Sequence, residues 1–181
     1  MPTQKQDRDP SLLDEARQNI SLFVLAQAAM RERRLGFSWR ASAQAPSSYG
    51  ALLEEFRAAE LSGLALRVSS LHNDPVIYDT PAVNLAFRYW HDTSHVLHGL
   101  SFDLEDELDL ADHNLEALRA EGFGPETVEH QLLYADTFGQ AYFQLCTGQF
   151  VANQVRFDTN CVLFGIDEAL NQELDALRTA G

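Results

Sequence analysis

Apolar residues recur at helical spacing along most of this chain. Leu13, Ala16, Ile20, Phe23, Val24 and Ala28 form the first stripe, interrupted once by Gln27. Ser11, with Asp14 three residues on, reads as the N-cap of that helix, an acidic variant of the capping box. Arg31, Arg33 and Arg34 suit its C-terminus, where cations meet the negative end of the helix dipole. Gly36 stops it. Residues 1–10 are polar and read as a flexible lead, and residues 36–47 read as a loop.

A second helix is predicted from Tyr49 to Leu61, closed by Gly63. LALRVSS and PVIYD then flank His72-Asn73-Asp74-Pro75, so residues 64–79 have the pattern of either a small β-hairpin or an extended loop. Thr80-Pro81 is a helix start, a capping hydroxyl followed by proline in the first turn. The helix it opens runs to Gly99. Ser101 or Asp103 caps the next, about 103 to 121, which Gly122 and Gly124 break. Pro125 opens a long helix to about 150, and Asp167 to Arg178 forms the last. The expected fold class is all-α: five to six helices in one bundle-like domain over residues 11–181, with room for one β-hairpin near 64–79.

Composition narrows the function classes. The chain has 181 residues, 45% of them apolar, enough for a single core. Asp and Glu outnumber Lys and Arg by 27 to 13, a net charge of −14, which repels phosphate and argues against direct nucleic-acid binding. Cys146 and Cys161 share no metal-binding spacing and read as free thiols of a reducing compartment. The N-terminus has no apolar core of a signal peptide, and Ile20–Met30 is too short to span a bilayer. These features predict a cytoplasmic protein, with a homodimer allowed.

The chemistry concentrates in HDTSHVLHGLSFDLEDE, residues 91–107. His91 and His95 are one helical turn apart on one face, where two imidazoles can reach one ion. Asp92 lies about 100° round, at the edge of that face. Gly99 permits a reversal that brings the next helix back. Among its acids Glu107 is singled out by its neighbours Leu104, Leu108 and Ala111, because a carboxylate bordering a core stripe needs a partner. His91, Asp92, His95 and Glu107 are therefore the expected ligands of one divalent metal, zinc by default, with manganese and iron also suited to such a donor set. Against this stands chance spacing of surface histidines and carboxylates. That alternative is weakened by Phe87, Trp90 and Leu97, which make the helix largely apolar.

His-Asp-x-x-His, eleven residues, then Glu resembles the signature of the fourth of the Coq families of ubiquinone (coenzyme Q) biosynthesis. Gly99 and Arg88-Tyr89 add to the resemblance, which covers residues 72–118. It implies a helical fold, a divalent metal held by His91, Asp92, His95 and Glu107, and action on prenylated quinone precursors, both in organising a biosynthetic complex and in removing a ring carboxyl group.

The expected function is a metal-dependent enzyme, a lyase or hydrolase, acting on a small aromatic or quinone-like substrate, with Phe87, Trp90, Phe102, Phe138 and Tyr142 as candidate pocket walls. Asp92 is a candidate base as well as a ligand. Arg88 either meets an anionic substrate or pairs with Asp92. Two alternatives stay open. His72, His91-Asp92 and Asp136 follow the order of HD-type phosphohydrolases. An acidic interaction protein with a protein partner and a purely structural metal is the other. Glu126, Glu129, His130 and Asp136 lie on the helix after Pro125, with Glu129 and Asp136 flanking its core stripe at i, i+7, and read as a solvated acidic cluster rather than a second metal site. His98 reads as a helix-dipole partner and His113 as a surface residue.

Overall fold

The computed structural model describes residues 10–73 and 76–180. The lead expected over residues 1–10 lies outside them except for Pro10. Among the described residues the fold is mostly helical: α1 (Pro10–Leu35), α2 (Tyr49–Ser62), α3 (Pro81–His98), α4 (Leu104–Ala120), α5 (Val128–Tyr134), α6 (Gln140–Thr147), α7 (Gln154–Phe164) and α8 (Ile166–Ala180). A π turn, Ala135–Gly139, joins α5 to α6 in one helical path. Among the described residues no helix is long and apolar enough to cross a membrane. The chain forms two units, residues 21–110 and residues 1–20 with 111–181.

The unit of residues 21–110 is built around a short parallel sheet. β1 (Trp39–Ser42) pairs with β2 (Leu66–Ser69), Trp39 opposite Leu66 and Ser42 opposite Ser69. Parallel partners need a crossover, and α2 supplies it. The apolar segment after Gly63 does become a strand, but its partner is β1, in a stretch read as a loop, and residues 76–79 form no strand. The hairpin reading is thus replaced by a βαβ unit. Asp74 and Pro75 of the expected turn lie outside the described residues.

Leu66 and Val68 are fully buried, as are Leu52 and Phe56 from α2. Phe37 meets Phe56 and Tyr89 edge to face, with ring centroids 5.3 and 6.4 Å apart, and Phe23 meets Trp90 at 5.4 Å. Such pairs add to the burial of these large rings. The Tyr89 hydroxyl donates to the Phe37 carbonyl at 2.9 Å. Arg31 donates to Thr93 and Ser94, at 3.3 and 3.1 Å, so this member of the basic run ties α1 to α3.

The other unit packs α5, the π turn, α6, α7 and α8 around Phe143, Val151, Phe157 and Ala169. Gly139 lets the π turn approach α7: a Cβ there would stand 3.1 Å from the Phe157 ring. Helix α1 starts at Pro10, not after Ser11, with proline in the first turn where its missing N–H costs nothing. Helix α7 was not anticipated. Asn153 caps it, accepting from the Arg156 N–H at 2.9 Å, and Gly165 ends it.

Candidate metal centre

Helix α3 starts as the sequence predicts. Thr80 accepts from the Val83 N–H, and Pro81 occupies the first turn. Its buried face carries Val83, Ala86, Tyr89, Trp90 and Thr93. Gly99 ends it with a left-handed φ of 71°, and the chain reverses there. The Leu100 N–H returns to the His95 carbonyl at 2.9 Å. The Ser101 N–H donates to Asp106 Oδ2 at 2.7 Å, and the Asp103 N–H donates to Ser101 Oγ at 3.1 Å. These bonds set the start of α4, which brings Glu107 back to α3.

His91, His95 and Glu107 converge. Their ligand atoms lie within 4.8 Å of one another. The two Nε2 atoms are 3.0 Å apart. His91 Nε2 stands 3.4 Å from Glu107 Oε2, and His95 Nε2 stands 3.4 Å from Glu107 Oε1. Nitrogen and oxygen ligands at zinc-like bonds of about 2.0–2.1 Å place neighbouring donors roughly 3.3 Å apart in a tetrahedron. The spacing of the three groups fits one ion.

His95 Nδ1 lies 3.2 Å from the Leu100 carbonyl, which only accepts, so Nδ1 is the donor in that contact and Nε2 is the atom turned toward the other two groups. Burial works against charge on Glu107, but hydrogen bonds and attraction from His91 and His95 outweigh it and hold its carboxyl well below the usual range. A cation bound between the three groups would replace the imidazole protons that meet Glu107. His95 is fully buried, whereas the His91 and Glu107 side chains keep about a quarter of their surface exposed (23% and 27%), so the centre opens to one side.

Phe87 lies 5.7 Å from the His91 ring, and Phe102 lies 4.8 Å from the His95 ring. Of the other expected pocket walls, Trp90 is buried between Phe23 and Phe87, while Phe138 and Tyr142 belong to the other unit. The cleft along α2, lined by residues including Glu54, Glu55 and Arg67, contains none of the triad.

Asp92 is not one of the three converging groups. It is half-buried beside them. Desolvation raises its carboxyl to about 6, opposed by the charges of His91, His95 and Arg88 and reinforced by Glu107. Arg88 donates to the backbone carbonyls of Ser69 and Leu71, each at 2.6 Å, and of His72 at 3.0 Å. Its guanidinium therefore ties the chain after β2 to α3, and its charge also acts on Asp92. His98 is exposed and outside the triad.

Asp106 is occupied by the Ser101 N–H and hydroxyl, which lower its carboxyl, so the choice of Glu107 over its neighbour has a physical basis. The role of the Leu100 carbonyl escaped the sequence reading, because a backbone acceptor leaves no residue-type signal. The triad includes neither His72 nor Asp136. In the other unit Glu129 accepts from Asn19 at 2.7 Å and His130 lies 3.4 Å from Arg119. No second group of metal ligands forms there among the described residues.

No family model, no curated protein and no solved structure matches this chain.

Proposed function

We propose that the protein is a mononuclear metal-dependent enzyme whose ion is held by His91, His95 and Glu107, and that its substrate is a small aromatic or quinone-like molecule. The convergence of three donor atoms from two helices around the Gly99 reversal carries this reading. Three protein ligands with one open side are the pattern of catalytic zinc sites, whereas structural sites close their shell with a fourth. Zinc fits the donor set, and iron(II) and manganese fit it also. A bound ion would supply Lewis acidity toward a carboxylate, a phenolate or a water.

The chain's own groups have defined tasks in this scheme. Leu100 fixes the His95 tautomer through its carbonyl. Glu107 contributes charge and is kept ionised by the two imidazoles. Asp92 stands beside the ligands as a proton acceptor for a bound substrate or water. Phe87 and Phe102 offer ring faces to a planar substrate. The motif's resemblance to the Coq family supports a quinone-like ring as that substrate.

Elemental analysis of protein purified without an affinity tag, followed by isothermal titration of the stripped protein with zinc, manganese and iron(II), tests the centre. About one ion per chain is expected. Displacement of metal-bound water by 4-hydroxybenzoate, followed by cobalt(II) absorption after substitution, tests the open position. A cobalt spectrum unmoved by any aromatic carboxylate or phenol would assign the metal a structural role.

A further inference from the structure

A second cluster of buried charge lies in the unit of α5 to α8. Asp158, on α7, is fully buried. Gln140, at the start of α6, directs its Nε2 at two carboxylates, Asp136 Oδ1 at 2.8 Å and Asp158 Oδ2 at 3.4 Å. Asp136 sits in the π turn, the kind of helix distortion that re-aims side chains at functional positions. One amide group thus serves both carboxyl groups and brings them together on a single nitrogen. Two carboxylates there could not hydrogen-bond to each other, because neither has a hydrogen to give. Asp158 Oδ1 is buried and has no hydrogen-bond partner among the described residues. A buried acceptor in that state is costly, and a proton on the pair relieves the cost.

The groups around the pair do not neutralise it. From α1, Arg17 attracts Asp158, but its Nη2 donates to Thr159 Oγ1 at 3.3 Å and its Nε makes no bond to either acid. From α8, Glu173 is negative and is matched by Arg156 at 2.6 Å. Cys161 on α7 is pushed up to about 12, by burial first and then by Asp158 and Glu173, and so stays a neutral thiol. Tyr134 on α5 is also raised by burial and stays neutral.

We propose that Asp136 and Asp158 share a single proton, and that this proton locks the π turn onto α7 and α8. Its loss in alkali leaves two neighbouring negative charges, that of Asp158 fully buried, and loosens that end of the unit. Burial, and then the charge of Asp136, raise Asp158 well above the ordinary carboxyl range, while Gln140 and Arg17 pull less strongly the other way. A group whose folded pKa exceeds its unfolded value, about 3.9 for Asp, lends stability that is complete below the unfolded value. That stability is lost as pH rises through the folded value. The helical unit should therefore weaken toward high pH, opposite to the usual behaviour of a paired surface carboxylate.

Asp158→Asn copies the protonated acid: its oxygen accepts from Gln140 and its amide donates to Asp136. The melting temperature of the full chain, wild type and D158N, is measured from pH 5 to pH 9. The two should agree near pH 5, and wild type should fall below D158N by about 5 °C or more at pH 9. Parallel curves would overturn the proposal. Infrared spectroscopy of the wild type gives a second reading that does not depend on the variant folding. The stretching band of a protonated carboxyl should persist at pH 7 and vanish in alkali, and absence of that band at pH 7 would also overturn it.

Discussion

The two charged clusters solve the burial of carboxylates differently. At the α3–α4 reversal one carboxylate, Glu107, faces two imidazoles, and the group stays partly open to solvent. At the π turn two carboxylates face each other across an amide, and Asp158 has no exposure at all. Mixed nitrogen and oxygen donors with an open side suit a metal ion. Paired carboxyl groups, one of them fully buried, suit a proton. The contrast also predicts opposite responses to pH. Protons compete with metal for the imidazoles, so acid empties the first cluster, whereas alkali disrupts the second.

The largest effect expected is at the imidazoles. His91→Ala with His95→Ala should take bound metal from about one per chain to near none, since each change removes one of only three ligands. Elemental analysis checks this. The same pair should leave the pH profile of D158N relative to wild type unchanged, because the clusters belong to different units. Metal retained by the double variant would erase the distinction drawn between the two clusters.

Next in size is Glu107→Gln, which keeps the shape but removes the charge. Zinc affinity should fall by about 100-fold or more, beyond the loss typical of an outer-shell change. Asp106→Asn should leave it within a few-fold, because Asp106 is committed to Ser101 rather than to the centre. Asp92→Asn should also bind metal nearly as wild type does if Asp92 is an acid–base group rather than a ligand. Titration calorimetry separates the three. Loss in D92N equal to that in E107Q would return Asp92 to the ligand set.

How much of this contrast was readable in advance follows from how local each signal is. The α3 start, its end at Gly99 and the one-turn spacing of His91 and His95 are local features, and all of them appear in the structure. Glu107 was identifiable because Leu104, Leu108 and Ala111 place it beside the core; Ala111 is buried, while Leu104 and Leu108 are half-buried. Asp92 adjoins His91 in sequence and lies about 100° round, at the edge of that face, so helix spacing alone does not separate a ligand from a neighbouring acid. The strand over 66–69 had β-branched and apolar residues to mark it, but its partner β1 is a four-residue segment beyond a whole helix. Nothing in Trp39–Ser42 alone reports that pairing. The Asp136–Asp158 pair is harder still: its members are 22 positions apart, and the π turn that aims Asp136 has no signature in residue type.

A change of pH should be milder than loss of a ligand. Both imidazoles must give up their Nε2 protons to bind an ion, so zinc affinity should fall as pH drops from about 7 to about 5.5. Over the same interval the Asp136–Asp158 pair keeps its proton, so the metal-free protein should not lose stability from that source. Calorimetric titrations at several pH values, beside thermal melts in chelator, compare the two directly. A metal affinity flat across this range would argue that the imidazoles are not ligands.

The smallest effect tests the backbone that holds the first cluster together. Gly99 has φ 71°, and open space surrounds the position a Cβ would take. Gly99→Val thus brings no clash with other residues, only the cost of a β-branched residue in the left-handed region, about 1 kcal/mol or somewhat more. The strain has a direct route to the centre. Leu100 is joined to His95 twice, its N–H to the His95 carbonyl at 2.9 Å and its carbonyl to His95 Nδ1 at 3.2 Å. Relaxing φ at residue 99 moves Leu100, releases the proton on Nδ1 from its acceptor and lets the ring turn. Metal affinity should then fall by about 10-fold, the scale of a lost outer-shell hydrogen bond. Gly99→Asn, which tolerates the left-handed conformation, should recover most of both losses. Chemical denaturation and zinc titration of the two variants decide the point. Equal behaviour of valine and asparagine would mean that the reversal at Gly99 does not orient His95.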